Sequence, residues 1–214
     1  MIPLYVLTND FGLWLLKGFS RQWEKYGCGR DFTFVGYSEP EYDVDFLSLG
    51  DQVPKKRWSD SLIDFVTGLD GWFILMLEDY WLTEPADWGS VEDLKQYYAD
   101  DVLRIDFSGD RNSFKHVKLC PGMVQSVPEA EYLMSYQAGI WNRDNMLKVL
   151  CRGEDPWQSE MEGTKRVNPL RVLGTVDRPV KYQPVWRSRQ NRWMTDKFSE
   201  ADLKDLEANG CFTK

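Results

Sequence analysis

One stretch limits the possible folds more than any other: Trp72-Phe-Ile-Leu-Met-Leu77 is apolar at every position, and the chain then turns acidic at Glu78-Asp79. A strand with one wet face alternates polar and apolar residues. A short run with no polar residue is expected where helices cover both faces of a parallel sheet. The run is far too short to cross a bilayer. In open α/β sheets, ligands bind beyond the carboxyl ends of the strands, and this strand delivers two adjacent carboxylates to that edge.

The flanking sequence supports the same architecture. Ile2 to Thr8 is rich in strand formers, and Asn9-Asp10 can cap the amphipathic stretch Phe11 to Tyr26, which Gly27 stops. Phe32 to Gly36 and Phe46 to Leu49 are further strands. Ser59 is placed to cap a helix through Leu62, Ile63, Phe65 and Val66, ending near Gly68. Strand, helix, strand, strand, helix, strand predicts an α/β domain with an open, mostly parallel sheet. Beyond it, Val91 to Tyr98 and Asn142 to Cys151 read as helices, and Val102 to Phe107 and Lys115 to Leu119 as strands. Ser199 caps a last helix to Asn209. Thr164 to Trp193 has little periodicity and is expected to wrap the domain as loops. No repeat or flexible linker divides the 214 residues. The expected organisation is a body over residues 1–164 with a basic extension, 165–214, packed on it.

Composition removes several chemistries. The four cysteines, Cys28, Cys120, Cys151 and Cys211, are scattered without a CxxC pair, as in reduced thiols of a cytoplasmic protein. The single histidine, His116, lies in the alternating run Ser113 to Leu119. It reads as a half-exposed strand residue, which leaves Ser-His-Asp and Cys-His catalysis without an imidazole. The opening Met1-Ile-Pro-Leu-Tyr5 lacks the basic flank and cleavage site of a signal peptide. The net charge of -8 is unlike a protein devoted to a polyanion. Lys165 to Lys197, however, carries nine basic residues (Lys165, Arg166, Arg171, Arg178, Lys181, Arg187, Arg189, Arg192, Lys197) against Asp177 and Asp196. Such a stretch on an acidic body is expected to face phosphate.

At the strand end, Glu78 or Asp79 can cap the next turn or pair with an arginine. Alternatively, they present hard oxygen ligands to Mg²⁺ or Mn²⁺ bridging a diphosphate. Adjacent strand residues point to opposite faces, so at most one coordinates unless the chain bends there. Asp79 is the candidate ligand. Phe73 to Leu82 resembles the hydrophobic strand and acidic motif of nucleotide-diphospho-sugar transferases of the GT-A fold. Thr8-Asn9-Asp10, Trp58-Ser-Asp-Ser-Leu62, Ser135-Tyr-Gln-Ala-Gly-Ile-Trp141 and Pro156-Trp-Gln-Ser-Glu160 follow in the order seen in small bacterial and phage glycosyltransferase-like proteins. The resemblance runs from about Leu4 to Gly163.

It implies a three-layer α/β/α domain and a nucleotide-sugar donor, with a UDP-sugar favoured. Thr8, Asn9 and Asp10 would hold base and ribose, and Trp58, Ser59 and Asp60 would contact the donor. Asp79, preceded by Glu78, would bind Mn²⁺ or Mg²⁺. Gln137, Trp141 and Trp157 would line the acceptor side, and Glu160 would be the general base of an inverting transfer. The usual Asp-x-Asp is here Glu-Asp-Tyr, which leaves one aspartate for the metal.

The same residues have plainer readings. Ten tryptophans in this length mostly pack cores, Trp141 and Trp157 among them. Glu160 has rivals in Glu154, Asp155 and Glu162, and Asn9-Asp10 caps a helix without any ligand. The acceptor is either a bacterial surface saccharide or a hydroxylated base in phage DNA, the latter held by the basic, aromatic Lys165 to Lys197 run. Two other classes fit: a non-catalytic nucleotide-sugar-binding module, and a nucleotidyltransferase. The second should show a glycine-rich basic phosphate loop, of which Gly12, Lys17 and Gly18 make a poor version.

Overall fold

The computed structural model describes residues 1–187 and 190–213; Arg189 of the basic run lies outside them. The first half follows the sequence pattern. Strand β1 (Leu4–Leu7) leads through helix α1 (Leu13–Tyr26) to β2 (Thr33–Gly36) and β3 (Phe46–Ser48), and α2 (Trp58–Thr67) leads to β4 (Trp72–Leu77). Strand β1 pairs in parallel with both β2 and β4, with Val6 opposite Met76 and Leu7 opposite Leu77, so β1 and β4 end level. Two caps differ from expectation. Helix α1 begins after Gly12 with no side-chain cap, because Asn9 instead accepts the Phe11 amide (3.0 Å) in the preceding turn. Helix α2 starts a turn earlier than its Ser59 suggested, and that serine is buried inside it.

The second half adds β5 (Tyr80–Leu82), α3 (Trp88–Asp93), β6 (Val102–Asp106), β7 (His116–Cys120), β8 (Met123–Ser126), β9 (Gly139–Asn142), α4 (Arg143–Val149), α5 (Pro156–Arg166) and β10 (Arg171–Thr175). Then come β11 (Tyr182–Pro184), β12 (Trp186–Arg187), β13 (Arg192–Trp193) and α6 (Glu200–Ala208), the last capped by Ser199 as its sequence predicts. Nine strands form one sheet in the order β3-β2-β1-β4-β9-β6-β10-β8-β7. Strands β8 and β9 run against the other seven. The stretch expected as loops therefore supplies an inner strand: β10 lies between β6 and β8, with Val172 and Leu173 buried. Its apolar core is only a few residues long and sits among arginines and prolines, which hid the period. His116 is exposed on the edge strand β7, and all four cysteines are free thiols.

Helices cover both faces of the sheet, which explains why β4 has no polar position. Ile74 and Met76 point into a core with Leu15, Leu16 and Phe19 of α1 and Leu206 of α6. Phe73 and Leu75 point into the opposite core with Leu62, Phe65 and Val66 of α2 and Met146 and Val149 of α4. All four β4 side chains are wholly buried, each worth about 1.5–3 kcal/mol relative to exposure. No helix among the described residues is long and apolar enough to cross a membrane.

Gly18 on α1 meets the Trp81 indole of β5 so closely that a Cβ would lie 2.0 Å from the ring. Trp81 is itself wholly buried and has nowhere to retreat. Gly18→Ala is therefore expected to destabilise the chain by about 1–3 kcal/mol through overpacking. Gly68→Ala, whose nearest neighbour would be 3.5 Å away, provides the control. Urea titrations of both variants measure the difference.

Candidate active site

Because β1 and β4 end level, the residues that follow them share one cleft of about 330 Å³. Thr8 and Asn9 line it from β1, Glu78 and Asp79 from β4, and Gly12 from the start of α1. Trp58, Tyr136, Pro156 and Trp186 form its aromatic and apolar side. Strand β4 stops at Leu77, and Glu78-Asp79 form the turn into β5. That bend brings both adjacent carboxylates to the same cleft, which a straight strand would forbid.

The two acids are held differently. Glu78 Oε1 accepts from Asn9 Nδ2 (3.3 Å), and the carboxylate occupies the space above Gly12, where a Cβ would fall 2.2 Å from Oε1. Asp79 is fixed through its backbone, its carbonyl accepting the Val185 amide (2.9 Å). Each is half-buried and lines the cleft. Burial pushes Glu78 up to about 8, with the neighbouring Asp79 charge adding to it, and burial pushes Asp79 up to about 7. The start of α1 opposes this for Glu78, but a helix end is worth only about 0.3–1 kcal/mol to an anion, less than one pKa unit (~1.4 kcal/mol).

Two desolvated carboxylates side by side carry more negative charge than the site can solvate, and their hard oxygens suit Mg²⁺ or Mn²⁺. Among the described residues no third His, Cys, Asp or Glu completes a metal cluster. A cation held by Asp79 and Glu78 would thus take its remaining ligands from water and a substrate phosphate, and it would supply charge neutralisation there.

The other sequence candidates spread over several places. Thr8 is buried at the cleft wall, its hydroxyl on the Asn9 carbonyl (3.4 Å). Asp10 lies just outside the cleft lining, accepting the Ser38 amide (3.0 Å) while its own amide binds Gln52 (2.8 Å). Trp58 lines the cleft edge-on to Tyr136 (4.9 Å). Ser59 and Asp60 do not line it. Ser59 Oγ accepts the Glu154 amide (2.9 Å), and Asp60 accepts from Gly153 N (2.7 Å) and Arg57 Nε (2.7 Å). The Arg57 hydrogen bond, ahead of the Gly153 amide, holds the Asp60 carboxyl below its usual range. Both residues tie α2 to the loop before α5, which sets Trp58 against Pro156.

Trp141 is wholly buried in β9 under Arg104 (5.1 Å to the ring) and lines neither cleft described here. Trp157 is 44% exposed, with the Lys55 ammonium 3.9 Å over its ring. It therefore does not bury Glu160. Glu160 stands behind the cleft wall, Oε1 accepting the Tyr136 amide (2.8 Å). Burial raises its pKa, while that amide and Arg104 oppose the rise. Gln137 lines a second cleft and accepts the Tyr182 hydroxyl (2.5 Å). Tyr80 follows Asp79 of the first cleft and packs on Tyr182 of the second. It is buried, stacked on Tyr182 (4.5 Å), and raised in pKa by burial first, then by Tyr182, Asp79 and Glu160.

Sequence reasoning did not single out Tyr80 or Tyr136, and it took Trp186 only as one aromatic of the basic Lys165 to Lys197 run. Tyr80 and Tyr136 sat inside motifs already noted, next to the acids and before Gln137. Trp186 comes from the C-terminal segment, and nothing in its local pattern points to the cleft. Of the poor phosphate loop, Gly12 receives Glu78, Gly18 packs Trp81, and Lys17 is exposed on α1.

The sheet order and the cleft at the strand ends define the class: an α/β domain with helices on both faces of a large, mostly parallel sheet. Among solved structures, apo UDP-glucose pyrophosphorylase shares this fold, with a TM-score of 0.52 at 10% identity over 98% of this chain and 100% of that one. A cytidylyltransferase from Leptospira borgpetersenii serovar Hardjo-bovis (strain JB197) aligns at TM-score 0.47 and 8% identity, over 98% of this chain and 94% of its own, too low a score to carry an argument. No family model matches the chain, and no curated protein matches it in sequence.

The raised acids make stability depend on pH. Between the unfolded carboxylate range near 4 and the folded values of about 7 and 8, the native state keeps protons that the unfolded chain has lost. Stability therefore falls as pH rises through that window. Glu78→Gln keeps the Oε1 acceptor and removes the charge. Its Tm is expected to exceed the parent's by about 2–4 °C at pH 8.5, on the order of 1 kcal/mol for a chain of this size, and to meet the parent's near pH 4. Melting followed by circular dichroism across the range checks the sign.

Proposed function

We propose that the chain is a glycosyltransferase that takes a sugar from a nucleotide-diphosphate donor, with the diphosphate lying in the β1–β4 cleft. The observation that carries the reading is the turn at Glu78-Asp79, which aims two desolvated carboxylates into that cleft beside the start of α1. Trp58, Tyr136 and Trp186 offer faces for a base or a sugar ring. Uridine is the favoured base, as the sequence resemblance implies. Mg²⁺ or Mn²⁺ held by Asp79 and Glu78 would neutralise the departing diphosphate.

In this reading Glu160 takes the proton of the acceptor hydroxyl, for which it would have to release the Tyr136 amide and turn into the cleft it stands behind; its raised pKa makes it a better base near neutral pH than an ordinary carboxylate. The hydroxyl oxygen bonds to the anomeric carbon as the bond to the diphosphate breaks, in one inverting displacement.

A second reading, nucleotidyl transfer from a nucleoside triphosphate to a sugar 1-phosphate, has the better support from fold likeness alone.

Two assays separate the readings. With UDP-glucose and other nucleotide sugars plus Mn²⁺, release of free nucleoside diphosphate is expected. Asp79→Asn should slow that release by about 10²–10³-fold, and Glu160→Gln should slow transfer by about 10²–10⁴-fold. With UTP and glucose 1-phosphate, pyrophosphate release in the absence of any UDP release from the sugar nucleotides would replace the glycosyltransferase by the second reading.

A further inference from the structure

We propose that the second cleft is the acceptor site and that it takes an acceptor carrying a phosphate group, gripped by Arg178 and Lys197. This rests on the glycosyltransferase reading and adds the chemical class of the acceptor. The cleft has a volume of about 460 Å³, with Ser108, Asp110, Gln137 and Tyr182 also lining it.

Its charges are unequally spent. Lys181 is paired with Glu84 (2.6 Å), and Asp110 is paired with the buried Arg111. Arg178 and Lys197 also line the cleft, and among the described residues neither makes an ion pair. Two cations without counter-charges, on a chain with a net charge of -8, match the two negative charges of a phosphate monoester, or adjacent phosphates of a phosphodiester strand.

Arg178 is exposed, but its side chain rests on the neighbouring loop. Its side chain lies on Gly109, whose left-handed backbone (φ 74°) leaves no Cβ in the way; one added there would fall 2.8 Å from Arg178 Nε. Asn112 Nδ2 joins the two loops concerned, donating to the carbonyls of Gly109 (3.2 Å), Thr175 (3.1 Å) and Val176 (3.2 Å). The guanidinium is thus preplaced at the cleft mouth. Deeper in, Gln137 spends its carbonyl on Tyr182 and keeps its amide N–H groups for a hydroxyl. Gln137 directly follows Tyr136 of the donor cleft, so an acceptor held by its anion at Arg178 and Lys197 would turn its hydroxyl towards the donor side.

Calorimetric titration of the full chain tests this with glucose 6-phosphate, a short oligothymidylate and plain glucose, each with and without saturating UDP. The phosphate-bearing probes are expected to bind with UDP in place, glucose not to bind, and Arg178→Ala/Lys197→Ala to weaken phosphate binding by about tenfold or more. UDP affinity should stay unchanged in that variant. A stronger oligothymidylate signal that falls steeply with salt marks a phosphodiester acceptor. Binding of glucose 6-phosphate alone marks a small phosphorylated one. The proposal is overturned if neither phosphate probe binds, if the double variant binds them as the parent does, or if UDP displaces them. Phosphate binding without any UDP binding would uphold the phosphate site and bring down the donor reading.

Discussion

The burial of β4 on both faces is the constraint from which the rest follows. Four consecutive apolar side chains, Phe73 to Met76, can be dry only if helices close over both sides of the strand, and α1 and α2 do so through Leu16, Phe19, Phe65 and Val66. A strand so placed cannot continue through Glu78 and Asp79, because an ionised carboxylate in that interior would cost several kcal/mol. The chain therefore turns where the apolar run ends. Strand β1 ends at the same level, so the turn opens onto a cleft instead of a flat edge. The acids and the cavity beside them thus share one cause.

The C-terminal segment completes what β1 and β4 begin. Tyr182 to Trp186 runs past the turn, its Val185 amide pinned to the Asp79 carbonyl. Tyr182 and Pro184 face the second cleft, while Trp186 closes the first. A few residues therefore line two cavities. Since β10 lies inside the central sheet, the segment after residue 164 cannot be peeled away without opening both.

The sequence made legible what local chemistry decides. Strand β4, helix α1, the Ser199 cap and the acidic turn each announce themselves within a few residues, by apolar runs, periodicity or a capping side chain. What tertiary packing decides was hidden. Strand β9 enters the sheet antiparallel between β4 and β6, and nothing in Gly-Ile-Trp-Asn fixes a direction. Trp141 is indistinguishable in sequence from Trp186, yet one is sealed in the core and the other lines the β1–β4 cleft. Asp60 sits in a motif that implies donor contact, but its two oxygens are taken by Arg57 and Gly153, partners that only the fold brings near. Periodicity reports which face is dry, and the contents of a cavity depend on chains far apart in sequence.

Strand β6 carries a wholly buried pair, Arg104 and Asp106 (3.3 Å). Burial lowers the pKa of Arg104 and raises that of Asp106, so each resists its charge. Such pairs seldom stabilise a fold better than apolar residues of the same volume would, but loss of one partner strands the other at about 3–5 kcal/mol. Their hydrogen bonds locate the benefit. Arg104 donates to the Ser135 carbonyl, and Asp106 accepts the amides of Ser108 (3.2 Å) and Asp110 (3.1 Å). These hold the loop that presents Tyr136 to one cleft and Gln137 to the other, and the loop that presents Ser108 and Asp110 opposite. The Arg104 charge also favours the ionised form of Glu160. The pair thus fixes the positions of residues in both clefts and biases the candidate base between them, at a stability cost that an apolar core would avoid.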